Sequence, residues 1–536
     1  MKYDFLAIVF WKALIPLFLA ILAIVLRLQG FEPTSITQDE STIILFAQGV
    51  LERGYPFLLV GSREFIISTY ELVPYPIAFS LWYLGFSEFA VRLPALCFSV
   101  GTILLIFYFA AYLFDNYVAL LAALLYAILP WAIYWGSNSF YPAQLQFFVL
   151  LTIIVGHQLL YNPQVKWKWY YFFTLFFIFT YFTWEASGIL LPIVFLIALL
   201  LRWKQWYWIN NLHAWFAASL IIFVVAVQLT YKTLLHTPYE KIGSRLAQIS
   251  FFQNIPSHTD YDPFFFLRIL ADSEAHIILA GFVLLGLFFF KSNWNMRFLY
   301  LLIIFTLVFL TMFLGLYTLR YSYFLLPFLL IVAAATVFLL VEYWISYLKR
   351  VSLFSVKIFK WICIGLLSAI QLLTASPWGL QPVELFSWLQ TNKPFEFQHD
   401  YQGFSFRSIA QQLQKYYRPG DIVIMSAPFP FKIYTGISGD YYIQDIVVST
   451  IRFDPSQLPY YAGKWVGNTV LNSATELEEV LYQHARVWFV SVPHKLMFQR
   501  QSKNVQELIV NRMTLVAESV QGRLYLWENP AFITKK

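Results

Sequence analysis

Eleven apolar runs, each long enough to cross a bilayer, constrain this chain more than any other feature. They lie at about 5–26, 91–113, 117–135, 143–161, 168–184, 186–202, 212–230, 276–290, 298–317, 322–347 and 359–376. A spanning helix needs about 20 apolar residues with few charges. Lys12 interrupts the first run, close enough to its end for the long stem to reach the interface. That run lacks a small-residue cleavage site and reads as an uncleaved first helix. With 60% hydrophobic and 12% charged residues, the chain is unlike a cytosolic, disordered or fibrous protein. Cys97 and Cys363 both sit inside apolar runs, so no disulfide framework is expected.

The scarce charges set the orientation. With the N-terminus inside, Lys2, Lys12, Lys166, Lys168, Arg202, Lys204, Lys291, Arg297, Lys349, Arg350, Lys357 and Lys360 fall on the inner side. Of the 16 acids before residue 380, only Asp4, Asp115 and Glu342 join them. The net charge of +7 is therefore a topology signal, and no nucleic-acid partner is needed to explain it. An odd number of spans puts the C-terminus outside. Three outer segments stand out: loop 29–89 with seven acids, loop 231–275, and the tail 380–536 with 13 acids and 15 bases. In the tail, 421–426, 487–492 and 523–528 read as strands and 474–484 as a helix, which makes an α/β domain. The expected organisation is a membrane domain over 1–379, carrying both outer loops, followed by a soluble domain over 380–536. No zinc motif, P-loop, GxSxG or dinucleotide fingerprint occurs.

Loop 29–89 opens with Ile36-Thr-Gln-Asp-Glu40 and then a helical stretch, Ser41 to Gly54. Ile43, Phe46, Ala47 and Val50 share one face, which predicts a helix lying along the membrane surface. Thr37 and Glu40 have capping-box spacing, which accounts for Glu40 and leaves Asp39 without a local role. Glu71 reads equally as a solvated loop acid. Glu185, beside Trp184 between two apolar runs, is either a water-exposed turn acid or a functional one. Arg320 reads as an interfacial cation at a span end.

This pattern of a first span and then an outer loop whose Asp-Glu opens a surface helix resembles the C-type (GT-C) glycosyltransferases. More closely it resembles glycosyltransferase family 39, with its protein O-mannosyltransferases and lipid A aminoarabinose transferases. The likeness continues through Tyr70-Glu-Leu-Val-Pro74, Ser87-Glu-Phe-Ala-Val-Arg-Leu-Pro94, Pro130-Trp131, Thr183-Trp-Glu-Ala-Ser-Gly-Ile-Leu-Leu-Pro192 and Leu319-Arg-Tyr-Ser-Tyr-Phe-Leu-Leu-Pro327. It implies a mostly α, polytopic bundle of about 11 spans with an extracytoplasmic α/β domain, in the cytoplasmic membrane with the active site outside. It implies sugar transfer from a polyprenyl-phosphate donor to a lipid, glycan or protein acceptor. Asp39 is then the general base and Glu40 a helper or cap. Glu71 touches acceptor or metal, and Arg320 beside Tyr321 clamps phosphate. Glu185 is a substrate-binding candidate, Arg245, Arg268 and Lys241 are second-rank phosphate cations, and Arg92 anchors a span. A departure lies at Gly136-Ser-Asn-Ser-Phe-Tyr-Pro-Ala-Gln144, where the family often carries Arg plus Asp. Asp39, Glu40 and Glu71 alone make a thin oxygen set for a divalent metal, so no cofactor is assigned and a divalent metal stays open. Two other classes remain: a flippase of lipid-linked glycans, and a non-catalytic envelope assembly protein on the same scaffold.

Overall fold

In the computed structural model, residues 9–29, 35–60, 63–67, 69–162, 165–202, 211–235, 266, 274–313, 319–348, 353–374, 406–425, 427–443, 468–471, 473–492, 494, 498, 501–519 and 522–533 are described. The chain divides into two compact units. One comprises 1–31, 68–236 and 240–391; the other comprises 32–67, 237–239 and 392–536. The division falls at 391 and 392, where the sequence reading placed it at 379 and 380. Residues 32–67, assigned to the membrane domain by the apolar pattern, instead belong with the C-terminal unit. Hydropathy marks which segments avoid water, and it does not say which distant segment a polar loop packs against.

The first unit is a helix bundle. A π-helical turn, Phe10–Leu14, leads into α1 (Ile15–Leu28), and α2 (Gln38–Arg53) belongs to the other unit. The bundle continues with α3 (Pro74–Leu84), α4 (Glu88–Leu113), α5 (Asn116–Ile128), α6 (Pro130–Gly136) and α7 (Pro142–Tyr161). Then come α8 (Lys168–Thr183), α9 (Leu190–Leu201), α10 (Leu212–Leu235) and α11 (Glu274–Leu285). It closes with α12 (Trp294–Phe313), α13 (Leu326–Leu348) and α14 (Leu353–Thr374). Each of the eleven apolar runs thus carries a helix. Among the described residues six helices are long and apolar enough to span a membrane, or seven if α5 and α6 count as one. Glu185–Leu201 and Leu279–Phe289 are apolar but shorter. The protein is a multi-pass membrane protein.

Local chemistry fixes the breaks. Asp115 caps α5, its carboxylate accepting from the amides of Tyr117 and Val118 at 2.8 Å each. Pro130 forces Leu129 out of helical geometry, to φ −71° and ψ 122°, and α6 leaves α5 at 67°. At one end of the bundle, Lys360 Nζ lies 2.8 Å from Asp115 Oδ2 and 2.7 Å from Glu342 Oε1. Trp361 of the same helix stacks on Trp11 with centroids 5.9 Å apart. Those charges were assigned to one side of the membrane from sequence, and α5, α13 and α14 bring them together.

The second unit holds a six-stranded sheet. Its elements are α15 (Phe406–Tyr416), β3 (Ile422–Met425), α16 (Pro428–Thr435), β4 (Tyr441–Ile443), β5 (Thr469–Leu471) and α17 (Ala474–Gln483). They continue with β6 (Arg486–Ser491), α18 (Lys503–Arg512), β7 (Thr514–Ser519), β8 (Gly522–Glu528) and a short α19 (Pro530–Ile533). The order is β5-β4-β3-β6-β8-β7, with the first four parallel and the last two antiparallel. Both faces of β3 and β6 are covered. Val487 and Phe489 pack with α17 and α18, and Trp488 and Val490 pack with α15 and α16. This explains why both strands read as unbroken apolar runs. The antiparallel hairpin of β1 (Phe57–Val60) and β2 (Arg63–Ile66), together with α2, completes the unit.

Candidate active site

Two groups of residues stand out, one in each unit. The first is the N-terminal turn of α2. Thr37 has the extended N-cap conformation, φ −79° and ψ 170°, and its hydroxyl accepts from Glu40 N at 3.2 Å. In return the Glu40 carboxylate accepts from Thr37 N at 3.0 Å, which completes the capping box. Glu40 is fully buried, so its carboxylate is a cap; Asp39, one residue earlier, is half-buried in the first turn. Ile43, Phe46 and Ala47 are buried in the protein, and α2 packs on α16 and β1, so its apolar face is not the membrane-lying face expected from sequence. Amphipathic spacing shows that a face is covered and is silent on whether protein or lipid covers it.

The second group gathers in the bundle from four separate segments. Tyr70, Tyr141, Trp184 and Tyr321 form a continuous ladder of stacked rings. Centroids are 4.6 Å apart from Tyr70 to Tyr141, 5.8 Å on to Trp184 and 5.0 Å on to Tyr321, with planes tilted by 18°, 27° and 18°. Arg320 ends the ladder, its guanidinium carbon 5.3 Å from the Phe140 ring centre and 5.7 Å from that of Tyr321. Two acids accompany it. Glu71 follows Tyr70 and accepts a hydrogen bond from Gln228 of α10. Glu185 follows Trp184 in the 3-10 turn Glu185–Ile189 and is 7% exposed. Of the two readings open for Glu185, the water-exposed turn acid does not hold, because this turn buries it.

Tyr70 is the one described non-glycine residue with positive φ, at +64°. Such a conformation costs of order 1 kcal/mol or more and concentrates at functional sites. It is held by Val73 N donating to Tyr70 O at 3.0 Å and Leu72 N donating to Phe182 O at 3.0 Å. The segment Leu319–Leu325, which carries Arg320 and Tyr321, is anchored equally firmly. Gln146 Nε2 donates to Tyr323 O at 2.8 Å, and the Tyr323 hydroxyl lies 3.0 Å from that of Tyr126. Behind them, fully buried Arg27 donates to Ser99 Oγ at 2.6 Å and to Ala127 O at 3.2 Å.

The neutral stretch 136–144 has a role after all: it supplies Phe140 and Tyr141, and Asn138 Oδ1 accepts from Phe140 N at 2.9 Å to fold it. Sequence reasoning passed over Tyr70, Phe140, Tyr141, Trp184 and Gln228. Their available signal is that Tyr70-Glu71, Trp184-Glu185 and Arg320-Tyr321 each pair one charge with one aromatic ring. Arg92 is 1% exposed and 3.7 Å from Glu88, an anchor at the top of α4 as expected. Lys241, Arg245 and Arg268 lie outside the described residues. Among the described residues no three His, Cys, Asp or Glu side chains gather as metal ligands.

The dolichyl-phosphate-mannose-protein mannosyltransferase family profile matches residues 72–231. No curated protein sequence matches the chain. Among solved structures, ArnT from Cupriavidus metallidurans bound to undecaprenyl phosphate superimposes with a TM-score of 0.64 at 11% identity, over 97% of this chain and 98% of that one. Its apo form gives 0.62 at 11% identity, over 95% and 97%. The archaeal oligosaccharyltransferase AglB from Archaeoglobus fulgidus, in complex with an inhibitory peptide and a dolichol-phosphate, gives 0.55 at 11% identity, over 90% and 69%. The chain has the GT-C fold, that of a class of integral membrane glycosyltransferases. Within that class its helix bundle and its C-terminal sheet together are similar to ArnT from end to end.

Proposed function

We propose that this protein is a membrane glycosyltransferase that moves a sugar from a polyprenyl-phosphate carrier to a hydroxyl acceptor on the extracytoplasmic face. The observation that carries this reading is the end-to-end likeness to a structure holding undecaprenyl phosphate, 97% of one chain on 98% of the other. Asp39 is the base. It takes the acceptor's proton as the acceptor oxygen attacks the anomeric carbon, and the bond from that carbon to the phosphate oxygen breaks with its electrons. Attack opposite the leaving group inverts the configuration. Arg320 meets the charge that grows on the departing polyprenyl phosphate, where a guanidinium fork suits phosphate geometry. The aromatic ladder excludes water from that cation and strengthens its field. Lipid, glycan and protein acceptors all present the hydroxyl this chemistry needs, and the positive-inside count supports the outer face.

The test uses the full-length protein in vesicles that carry undecaprenyl phosphate or a synthetic polyprenyl-phosphate sugar. Native mass spectrometry should find undecaprenyl phosphate retained by the wild type and lost in Arg320→Ala. Net movement of the intact donor across the bilayer with no transfer would instead identify a flippase.

A further inference from the structure

We propose that the C-terminal α/β unit is the seat of the Asp39 helix: Tyr434 and the α15 N-terminus fix the turn that carries Asp39, and Tyr434 is a positioning residue for transfer. This rests on the reading of Asp39 as the base. Three successive residues before Asp39 are each committed to a different partner. Ser35 Oγ accepts from Arg407 N at 3.2 Å, across 372 residues of sequence. Arg407 lies in the first turn of α15, where backbone amides have no partner within the helix, so Ser35 satisfies one of them from far away in the chain. Ile36 N donates to the Tyr434 hydroxyl at 2.8 Å, across 398 residues, and the Ile36 side chain is fully buried. Thr37 forms the capping box with Glu40. The backbone entering α2 is therefore fixed residue by residue up to the position before the Gln38-Asp39 pair.

The platform that holds it is rigid for reasons visible in the sheet. Tyr434 is in the last turn of α16, which Gly436 closes in a left-handed C-cap at φ +78°. That helix starts directly after β3, whose neighbours are β4 on one side and β6 on the other. Connections therefore leave β3 and β6 in opposite directions, and the carboxyl end of β3 is a topological switch point, where α/β sheets commonly hold a ligand. Here α16 carries the chain's own loop. Phe429 and Phe431 are fully buried beneath it, and Asp440 Oδ2 accepts from Val423 N at 2.8 Å to brace the strand. A tyrosine hydroxyl on such a platform sets the entry of α2, and through it the Asp39 carboxylate.

The experiment compares full-length wild type, Tyr434→Phe and Ser35→Ala in detergent by hydrogen exchange, and in nanodiscs by transfer kinetics. Tyr434→Phe keeps the ring and removes the hydroxyl. The amides of 36–41 should exchange about fivefold to tenfold faster, in line with one lost hydrogen bond. kcat should fall about 10- to 100-fold, as expected for a displaced catalytic group, with KM for the polyprenyl-phosphate donor unchanged. Ser35→Ala should move both readouts the same way and less. Wild-type exchange in both variants overturns the docking; faster exchange with wild-type kcat overturns the positioning role. A rise in donor KM at constant kcat also overturns it, since that change is a loss of donor binding and leaves the chemical step untouched. A wild type that transfers nothing overturns the functional reading instead, and the exchange measurement still judges the docking on its own.

Discussion

Glu40 and Asp39 are neighbours with the same charge, and the fold gives them opposite duties. Glu40 turns back onto Thr37 N and is fully buried, so Thr37→Ala or Glu40→Ala should destabilise the α2 turn by about 1 kcal/mol. Thermal melting of the purified protein reads that loss. Asp39 takes no part in the box, and Asp39→Asn should lower kcat by about 10²–10⁴. His494 offers a pH test. Burial, and then the Arg523 guanidinium, push it down to about 4 from an ordinary 6.5; Glu518 opposes the shift. Its Nδ1 is 3.0 Å from Ser491 Oγ and its Nε2 3.0 Å from Arg523 Nη1. Below about pH 6.5 the unfolded chain binds a proton that the folded one refuses, so stability falls from there to about pH 4 and then levels. In His494→Gln the melting temperature of the C-terminal unit should depend less on pH across that window.

The elements divide by how local their causes are. Spans were legible because about 20 apolar residues with charges at their ends admit few alternatives. The break at Leu129–Pro130 was not read, since 117–135 reads as one run, although proline chemistry carries it. The strands β3, β6 and β8 and the helix α17 were readable, since they are apolar runs or clean periodicities bounded by turns. The strands β4, β5 and β7 were not: three residues such as Tyr441–Ile443 carry no period, and only pairing with β3 and β5 makes them a strand. The ladder of Tyr70, Tyr141, Trp184 and Tyr321 could not be read either. Its rings come from four segments up to 251 residues apart, and in a chain that is 20% aromatic a single tyrosine is no signal. Element packing predicts the cost of disturbing it. A Cβ on Gly136 of α6 would meet Arg27 Nε and Ser99 Oγ at 2.6 Å, so Gly136→Ala should push the buried arginine aside and lower the yield of folded protein in size-exclusion profiles. In the sheet, Trp488 is fully buried and its indole N–H donates to Asp421 at 2.8 Å; Trp488→Ala should cost about 3–5 kcal/mol.

At the scale of the whole molecule, each unit carries one candidate group: Arg320 lies against aromatic rings in the first unit, and the helix that bears Asp39 belongs to the second. The chain enters the second unit at 32–67, returns to the bundle, and comes back after 392, so neither unit is a simple segment of sequence. The charge count and the resemblance singled out Asp39 and Arg320 as candidates, and neither says which unit the first outer loop belongs to. The central claim is that Asp39 acts in the chemical step and Arg320 on the lipid phosphate, and steady-state transfer from a radiolabelled polyprenyl-phosphate sugar to an envelope acceptor fraction tests it most directly. The account predicts that Asp39→Asn loses about 10²–10⁴ in kcat at nearly constant donor KM, while Arg320→Ala weakens both the rate and the hold on the donor. Wild-type transfer by a normally folded Asp39→Asn protein would contradict it.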